Sequence, residues 1–156
     1  MTNLQEIMDL MMPLIPNDYR SEMVDDMDLA KRGAIEMAVA LKFPTFKITE
    51  EVGEEITDDG DLVEVTTYFA NQELTFEQIY LAAHFAYRAY LMKLKDSFTR
   101  DAINFNTLTF SIKGLEKRPE MINDSLYQLN RYLENEVAKV SGARAIVGTA
   151  VKYGGE

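Results

Sequence analysis

The hydrophobic positions at the start of the chain follow the period of an α-helix. One stripe has three- and four-residue spacing: Leu4, Ile7, Met8 and Met11. Thr2 and Gln5 have the spacing of a capping box at the start of this segment. The pattern therefore predicts a first short helix that ends near Pro13 or Pro16.

A second helical stripe follows, and its small residues are its main feature. The stripe consists of Met23, Met27, Ala30, Ala34, Ala38 and Leu41. It predicts a helix that begins around residues 17–21 and ends before Pro44. Small residues concentrated along this segment (Ala30, Gly33, Ala34, Ala38 and Ala40) would let another helix approach closely. We expect the first two helices to form an antiparallel pair.

The longest helical pattern begins after Thr75, where Thr75 and Gln78 have the spacing of a second capping box. It predicts a helix from Phe76 to about Arg100 with two adjacent apolar stripes. The first consists of Ile79, Ala83, Ala86, Tyr90, Leu94 and Phe98, and the second of Tyr80, His84, Tyr87 and Leu91. A helix with so broad an apolar surface should be buried on more than one side.

The last helical pattern starts at Pro119, a residue that suits the first turn of a helix. Its stripe consists of Ile122, Leu126, Leu129, Leu133, Val137 and Val140. Ser141 and Gly142 supply a stop signal at its end. The sequence thus predicts a fourth amphipathic helix.

The helical period is lost in three places. Between residues 45 and 74, β-branched residues surround the turn signal Asp59-Gly60, so a hairpin or a long, partly ordered loop both fit. Leu108–Lys113, "LTFSIK", alternates apolar and polar residues like a half-buried strand. The final segment, "ARAIVGTAVKYGGE", could be a strand or an extended tail. These two segments could pair with each other or add to a neighbour's sheet.

Together the patterns predict a mainly α protein. We expect residues 1–142 to form one small helical-bundle domain, with a β-hairpin or loop insertion at residues 45–74. Residues 143–156 should form an extended C-terminal tail. No run approaches the roughly 20 apolar residues that a membrane helix needs, so we expect a soluble protein.

Charge is distributed unevenly along the 156 residues, whose net charge is −10 at pH 7. Glu50–Glu64 contains eight acidic residues and no basic one, whereas Arg88–Arg118 contains seven basic and three acidic residues. One interpretation is two solvated surfaces that keep the protein soluble. The other is a head-to-tail contact, in which the acidic region of one copy meets the basic region of the next.

The residue types that carry catalysis or hold metals are sparse. There is no cysteine, which excludes disulfides and thiolate metal sites and makes a cytoplasmic origin the default. His84 is the single histidine and is expected to be structural. The carboxylate pairs Glu54 with Glu55 and Asp58 with Asp59 are adjacent on a predicted loop, which favours solvated charge. The acidic region also lacks the ligand spacing of an EF-hand calcium loop, so we predict no enzyme activity, metal or cofactor.

The order of these segments resembles the head-to-tail connector proteins of tailed bacteriophages, the adaptors that bind beneath the portal ring. The resemblance rests on the chain length, the two N-terminal helices, the acidic loop, the long helix and the tail. It also includes the junction "FNTLTFSIKGLEKRPEMINDSLYQLNRYL". It implies a structural protein of the virion neck, assembled in the host cytoplasm as a ring of about twelve copies.

The resemblance also implies partners and contact residues. The partners would be the portal protein and the next neck or tail connector, with DNA passing through the channel without specific binding. The portal or subunit interface would include Lys113, Lys117, Arg118, Ala145, Ile146, Val147, Val151 and Tyr153. A neighbour or the DNA channel would face the acidic residues Glu54, Glu55, Asp58, Asp59 and Asp61.

Two other classes of function fit the residues. One is an acidic protein-binding module that mimics nucleic acid and occupies a basic cleft, which would require acidic residues spread over a rigid face. The other is a small helical enzyme with isolated Asp, Tyr or Lys groups in a bundle pocket. A strongly shifted titration of His84 or of a buried carboxylate would favour it.

Overall fold

The computed structural model describes residues 1–16, 26–107 and 118–143, and side chains within them at 1–16, 26–97 and 120–142. This part of the chain is mostly helical, as the periodicity predicts, and it also contains a small antiparallel sheet. Its elements are β1 (Thr2–Asn3), α1 (Gln5–Met11), α2 (Asp26–Ala40), β2 (Ile48–Ile56), β3 (Leu62–Ala70), α3 (Phe76–Thr107) and α4 (Arg118–Ala138). Within these ranges, no helix is long and apolar enough to cross a bilayer.

Helix α3 lies at the centre of the core. The predicted capping box at its start is confirmed: Thr75 N–H donates to Gln78 Oε1 at 3.0 Å, and Gln78 N–H donates to Thr75 Oγ1 at 3.2 Å. Both apolar stripes contribute buried residues, including Ile79, Ala83, Ala86, Tyr90, Leu91 and Leu94. Helices α1, α2 and α4 all pack against α3.

The predicted end of α3 near Arg100 is wrong, because the helix continues to Thr107. Residues 101–107 contain neither glycine nor proline, so no local signal stops the helix there. The predicted strand, Leu108–Lys113, lies outside the described residues.

Helix α2 packs closely on α3 through small residues. Ala30, Gly33, Ala34 and Ala38 are all buried. A Cβ atom placed on Gly33 would lie 2.4 Å from the carbonyl oxygen of Ala82, so the two backbones nearly touch. The predicted end before Pro44 is confirmed, whereas the predicted start lies outside the described residues. We expected α1 and α2 to pair with each other. Helix α2 does contact α1, but its main packing partner is α3.

The capping box predicted at Thr2 is wrong. Thr2 belongs to β1, which pairs antiparallel with the end of β3 through Thr2 with Ala70 and Asn3 with Phe69. The buried Thr2 hydroxyl accepts a 2.8 Å hydrogen bond from the backbone N–H of Leu74. Helix α1 ends at Met11, and a 3₁₀ turn, Met12–Leu14, completes the segment before Pro16, as predicted.

This Thr2 hydrogen bond predicts a measurable loss of stability. Thr2→Val keeps the side-chain shape but leaves the buried N–H of Leu74 without its acceptor, which should cost about 1–3 kcal/mol of unfolding free energy. Urea denaturation would measure the loss. Thr2→Ser retains the hydroxyl and should lose much less, and equal losses for the two variants would show that the hydrogen bond does not stabilise the fold.

Helix α4 forms as predicted, packs against α3 and contributes residues to the core. Ile122, Leu129 and Leu133 are buried, and Leu126, Val137 and Val140 pack partly against the core. A wider turn, Lys139–Ala143, follows the helix, and Gly142 adopts a φ of 90° there. Such a left-handed conformation favours glycine and stops the helix, as the sequence predicts.

The insertion at residues 45–74 is a β-hairpin, so the alternative of a partly ordered loop is wrong. Strands β2 and β3 pair in register from Ile48 with Ala70 to Ile56 with Leu62. In the turn, Thr57 N–H donates to the Asp61 carbonyl and Gly60 N–H donates to the Thr57 carbonyl, both at 2.8 Å. Gly60 has a φ of 86°, a conformation that suits glycine in a turn. The sheet order is β1-β3-β2.

Candidate functional site: an acidic hairpin arm

The outer part of the hairpin stands clear of the helical core. Every side chain from Thr49 to Glu64 is exposed, and we call this segment the hairpin arm. Burial begins again only at Val65, and Ala70 at the base is fully buried. The arm therefore contributes little to the core, although it has regular strand pairing along its length.

Contacts at the base fix the hairpin to the helices. The Lys31 ammonium of α2 lies 3.6 Å from the centre of the Tyr68 ring, a cation–π contact. Asn71 ties the two strand ends together, because its Oδ1 accepts from Lys47 N–H at 3.0 Å and its Nδ2 donates to the Thr45 carbonyl at 2.6 Å. These contacts anchor the base of the hairpin to α2 and join the ends of its two strands.

Eight carboxylates occupy the hairpin arm. Five lie in the strands (Glu50, Glu51, Glu54, Glu55 and Glu64) and three in the turn (Asp58, Asp59 and Asp61). The expectation that Glu54 and Glu55 lie on a loop is therefore wrong. They are successive residues of β2, so they point to opposite faces of the hairpin.

The carboxylates of the arm repel one another without compensation from the rest of the described chain. Glu54 lies directly across from Glu64, a like-charge pair that destabilises a sheet. No carboxylate of the arm forms a salt bridge with another described residue. Nor do any three His, Asp or Glu side chains of the described ranges converge as metal ligands would. The arm is a concentrated negative charge that the rest of the described fold leaves uncompensated.

Exposed aliphatic side chains accompany these charges. Val52, Ile56 and Leu62 are 61%, 72% and 63% exposed, and the hairpin register places them on one face. Val63, 43% exposed, lies on the opposite face beside Glu55. Covering large aliphatic groups with a partner removes apolar surface from water and so favours binding. The arm therefore offers both apolar and charged contacts.

Strand β2 is also an edge of the sheet. Because the strand order is β1-β3-β2, only β3 pairs with β2 among the described elements. An edge strand has backbone groups that another strand could pair with, and charged residues along it discourage unspecific pairing. The edge, the carboxylates and the aliphatic groups make the arm the candidate interaction surface.

His84 lies in a different environment, between aromatic rings of α3 and α4. It is 8% exposed, and its ring centre lies 4.5 Å from that of Tyr80 and 4.7 Å from that of Tyr132. Its Nδ1 lies 2.8 Å from the Tyr80 carbonyl, and because a carbonyl only accepts, Nδ1 donates this hydrogen bond. Packing of this kind suits the expected structural role.

Burial lowers the pKa of His84, against the opposing effects of the hydrogen bond to Tyr80 and of the Glu136 carboxylate. Burial also raises the pKa of the neighbouring Tyr132 hydroxyl, and Glu136 and Tyr80 act in the same direction. Tyr132 is a residue that the periodicity did not single out, since it lies beside the predicted stripe of α4. Only the tertiary packing of α4 on α3 brings it to His84.

The lowered pKa predicts a pH dependence of stability. As pH falls below 6.5, the usual histidine pKa, His84 binds a proton in the unfolded chain before it does so in the folded chain. The free energy of unfolding therefore decreases as pH falls from 6.5 to the lower pKa of His84 in the folded state. The groups around the ring are Tyr80 from α3, and Tyr132 and Glu136 from α4. Thermal unfolding between about pH 7.5 and pH 5 should show a larger loss for the wild type than for His84→Phe. Parallel curves for the two proteins would contradict this expectation.

The structure describes few of the other predicted contact residues. Lys113, Lys117 and the tail residues Ala145, Ile146, Val147, Val151 and Tyr153 lie outside the described residues. Arg118 is the first residue of α4. Within the predicted basic region, Arg88 forms a 3.1 Å salt bridge to Glu36 and a 3.3 Å hydrogen bond to Asn130. Arg88 is thus engaged within its own chain.

Comparison with known proteins gives no relative. The chain matches no protein-family model, no curated protein and no solved structure.

Proposed function

We propose that this chain is a structural assembly protein, a head–tail connector that forms a ring beneath a bacteriophage portal. The observation that carries the proposal is the hairpin arm. It is a regular, anchored hairpin whose side chains from Thr49 to Glu64 are all exposed and whose carboxylates have no described ionic partner. Such an arm adds little to the stability of a single folded chain, whereas in an assembly it could contact another copy.

In this proposal the arm meets a positively charged surface of the next copy in the ring. A head-to-tail contact joins different surfaces of the same protein, and it closes into a ring when the rotation between copies permits. Opposite charges would guide the encounter and reject wrong orientations. The aliphatic groups Val52, Ile56 and Leu62 would then lose water at the contact.

The basic side of the contact would come from residues of the Arg88–Arg118 region that are not engaged within the chain. Lys93 is exposed on α3 and is one candidate, whereas Arg88 is excluded by its salt bridge to Glu36. Lys113, Lys117 and Arg118 stay in the proposal as a portal or subunit contact. The tail from Ala145 to Tyr153 is proposed to dock on the portal.

Mixing the purified chain with the portal protein encoded by the same genome tests this function. Mass photometry should show portal particles that gain the mass of a ring of chains. A variant that lacks residues 144–156 should add no mass, while its thermal unfolding stays like that of the intact chain. If the intact chain adds no mass to portal particles, the connector function is wrong.

The second candidate is an acidic module that binds a basic cleft in place of nucleic acid. It is favoured by the finding that five of the eight carboxylates lie on regular strands and not on a loop. Such a module would compete with DNA for a basic protein. Displacement of DNA from a partner, together with no binding to portal particles, would favour this function over the connector.

A further inference from the structure

A small cleft lies between the first turns of α3 and the end of α4. Its volume is about 110 Å³, and its walls are mostly apolar. Three aromatic residues line it: Phe76, Tyr80 and Tyr132. Phe76 and Tyr80 stack with ring centres 6.0 Å apart, and they are 68% and 36% exposed. Leu81 is buried beside them. The cleft thus presents aromatic rings to solvent.

Carboxylates stand beside these rings. Glu77 and Glu136 line the same cleft, and Glu136 lies close enough to His84 and Tyr132 to affect the pKa of each. The one cation among the lining residues is Lys139, whose Nζ lies 3.2 Å from Glu136 Oε1. The Lys139 side chain is 59% exposed, so solvent screens this ion pair. The lining carries two negative charges against one positive charge.

We propose that this cleft binds an arginine side chain from a partner protein. The face of an aromatic ring attracts a cation, and a guanidinium, which is flat and weakly hydrated, stacks on such a ring better than an ammonium does. Glu136 or Glu77 would accept the guanidinium N–H groups. An anion would meet two carboxylates, and a neutral apolar group would gain no favourable contact with their charge. The proposal depends on the cleft alone and is independent of the connector function.

A titration followed by NMR tests the proposal with the whole chain. The probe is N-acetyl-arginine-methylamide, and the matched control is the citrulline analogue, which has nearly the same shape but no charge. The ring signals of Tyr80, Tyr132 and His84 should shift with the arginine probe, with an affinity at least about fivefold above that of the citrulline analogue. Equal shifts with both compounds, or none with either, would overturn the proposal.

Variants of the lining separate the ring contact from the charge contact. Tyr80→Leu should lower the affinity about fivefold, whereas Tyr80→Phe keeps the ring and should bind like the wild type. Glu136→Gln should weaken binding, and Lys139→Met should strengthen it about threefold because it releases Glu136 from its internal ion pair. Far-UV circular dichroism would verify that each variant is folded. If Lys139→Met weakens binding, the cleft does not use the Glu136 charge, and the proposal fails.

A last comparison tests whether the source of the cation is a protein side chain. Spermidine carries more charge than the arginine probe but has no flat guanidinium. The proposal expects spermidine to bind more weakly than the arginine probe at equal ionic strength. Tighter binding of spermidine would assign the cleft to a free polyamine and overturn the assignment to a protein partner.

Discussion

Gly33→Ala is expected to lower the free energy of unfolding by about 3 kcal/mol. The added Cβ would lie 2.4 Å from the carbonyl oxygen of Ala82 and 2.7 Å from both Cβ and N of Ala86. Two of these three contacts are with backbone atoms, which cannot rotate away. Helices α2 and α3 would have to separate, and the buried alanines along their interface would lose contact. Urea denaturation of the purified variant measures the effect.

Gly53→Ala is the matched control for this prediction. Gly53 lies in β2, and no atom outside its immediate neighbours lies within 4 Å of a Cβ placed there. Its backbone has no left-handed φ that an alanine would resist. We expect a change of less than about 0.5 kcal/mol at this exposed position. Equal losses for Gly33→Ala and Gly53→Ala would show that close packing of α2 on α3 does not explain the requirement for glycine.

Shortening the hairpin arm is expected to abolish assembly and leave the fold intact. Residues 52–66 can be replaced by Asn-Gly, a two-residue turn that joins the cross-strand pair Glu51 and Thr67. None of the removed side chains is buried, so unfolding free energy should change by less than about 1 kcal/mol. The portal particles should gain much less mass than with the intact chain, because in the proposed ring each copy would lack its contact with the next.

A second variant separates the charge of the arm from its shape. It carries Glu54→Gln, Glu55→Gln, Asp58→Asn, Asp59→Asn and Asp61→Asn, which keep the size of each side chain. The folded protein should be at least as stable as the wild type because repulsion in the arm falls. Assembly of this variant should be weaker than that of the wild type, and it should depend less on salt concentration.

If the shortened hairpin assembles like the wild type, the arm is not the contact between copies.

The helices could be predicted from the sequence because their signals are local. The reciprocal capping of Thr75 and Gln78 needs only four consecutive residues, and the stripe of α4 repeats over six turns. The hairpin was predicted only as one of two alternatives. Its turn signal, Asp59-Gly60, is local, but pairing over nine residues depends on the register of two strands.

The parts that could not be predicted depend on residues far apart in the sequence. Thr2 and Gln5 have a capping-box pattern, yet Thr2 pairs with Ala70 and caps the N–H of Leu74 instead. A two-residue strand carries no periodicity of its own, so only the folded sheet reveals it. In the same way, Tyr132 contacts His84 only because α4 packs on α3. Arg88 belongs to the predicted basic region, but its charge is engaged by the salt bridge to Glu36.

Electron microscopy of the chain coexpressed with its own portal protein tests the proposed connector function. We expect portal particles that carry an added ring at one end, with each hairpin arm in contact with the neighbouring copy. The shortened-hairpin variant should give portal particles without this ring. Portal particles that remain bare while the intact chain is soluble and folded would contradict the connector function.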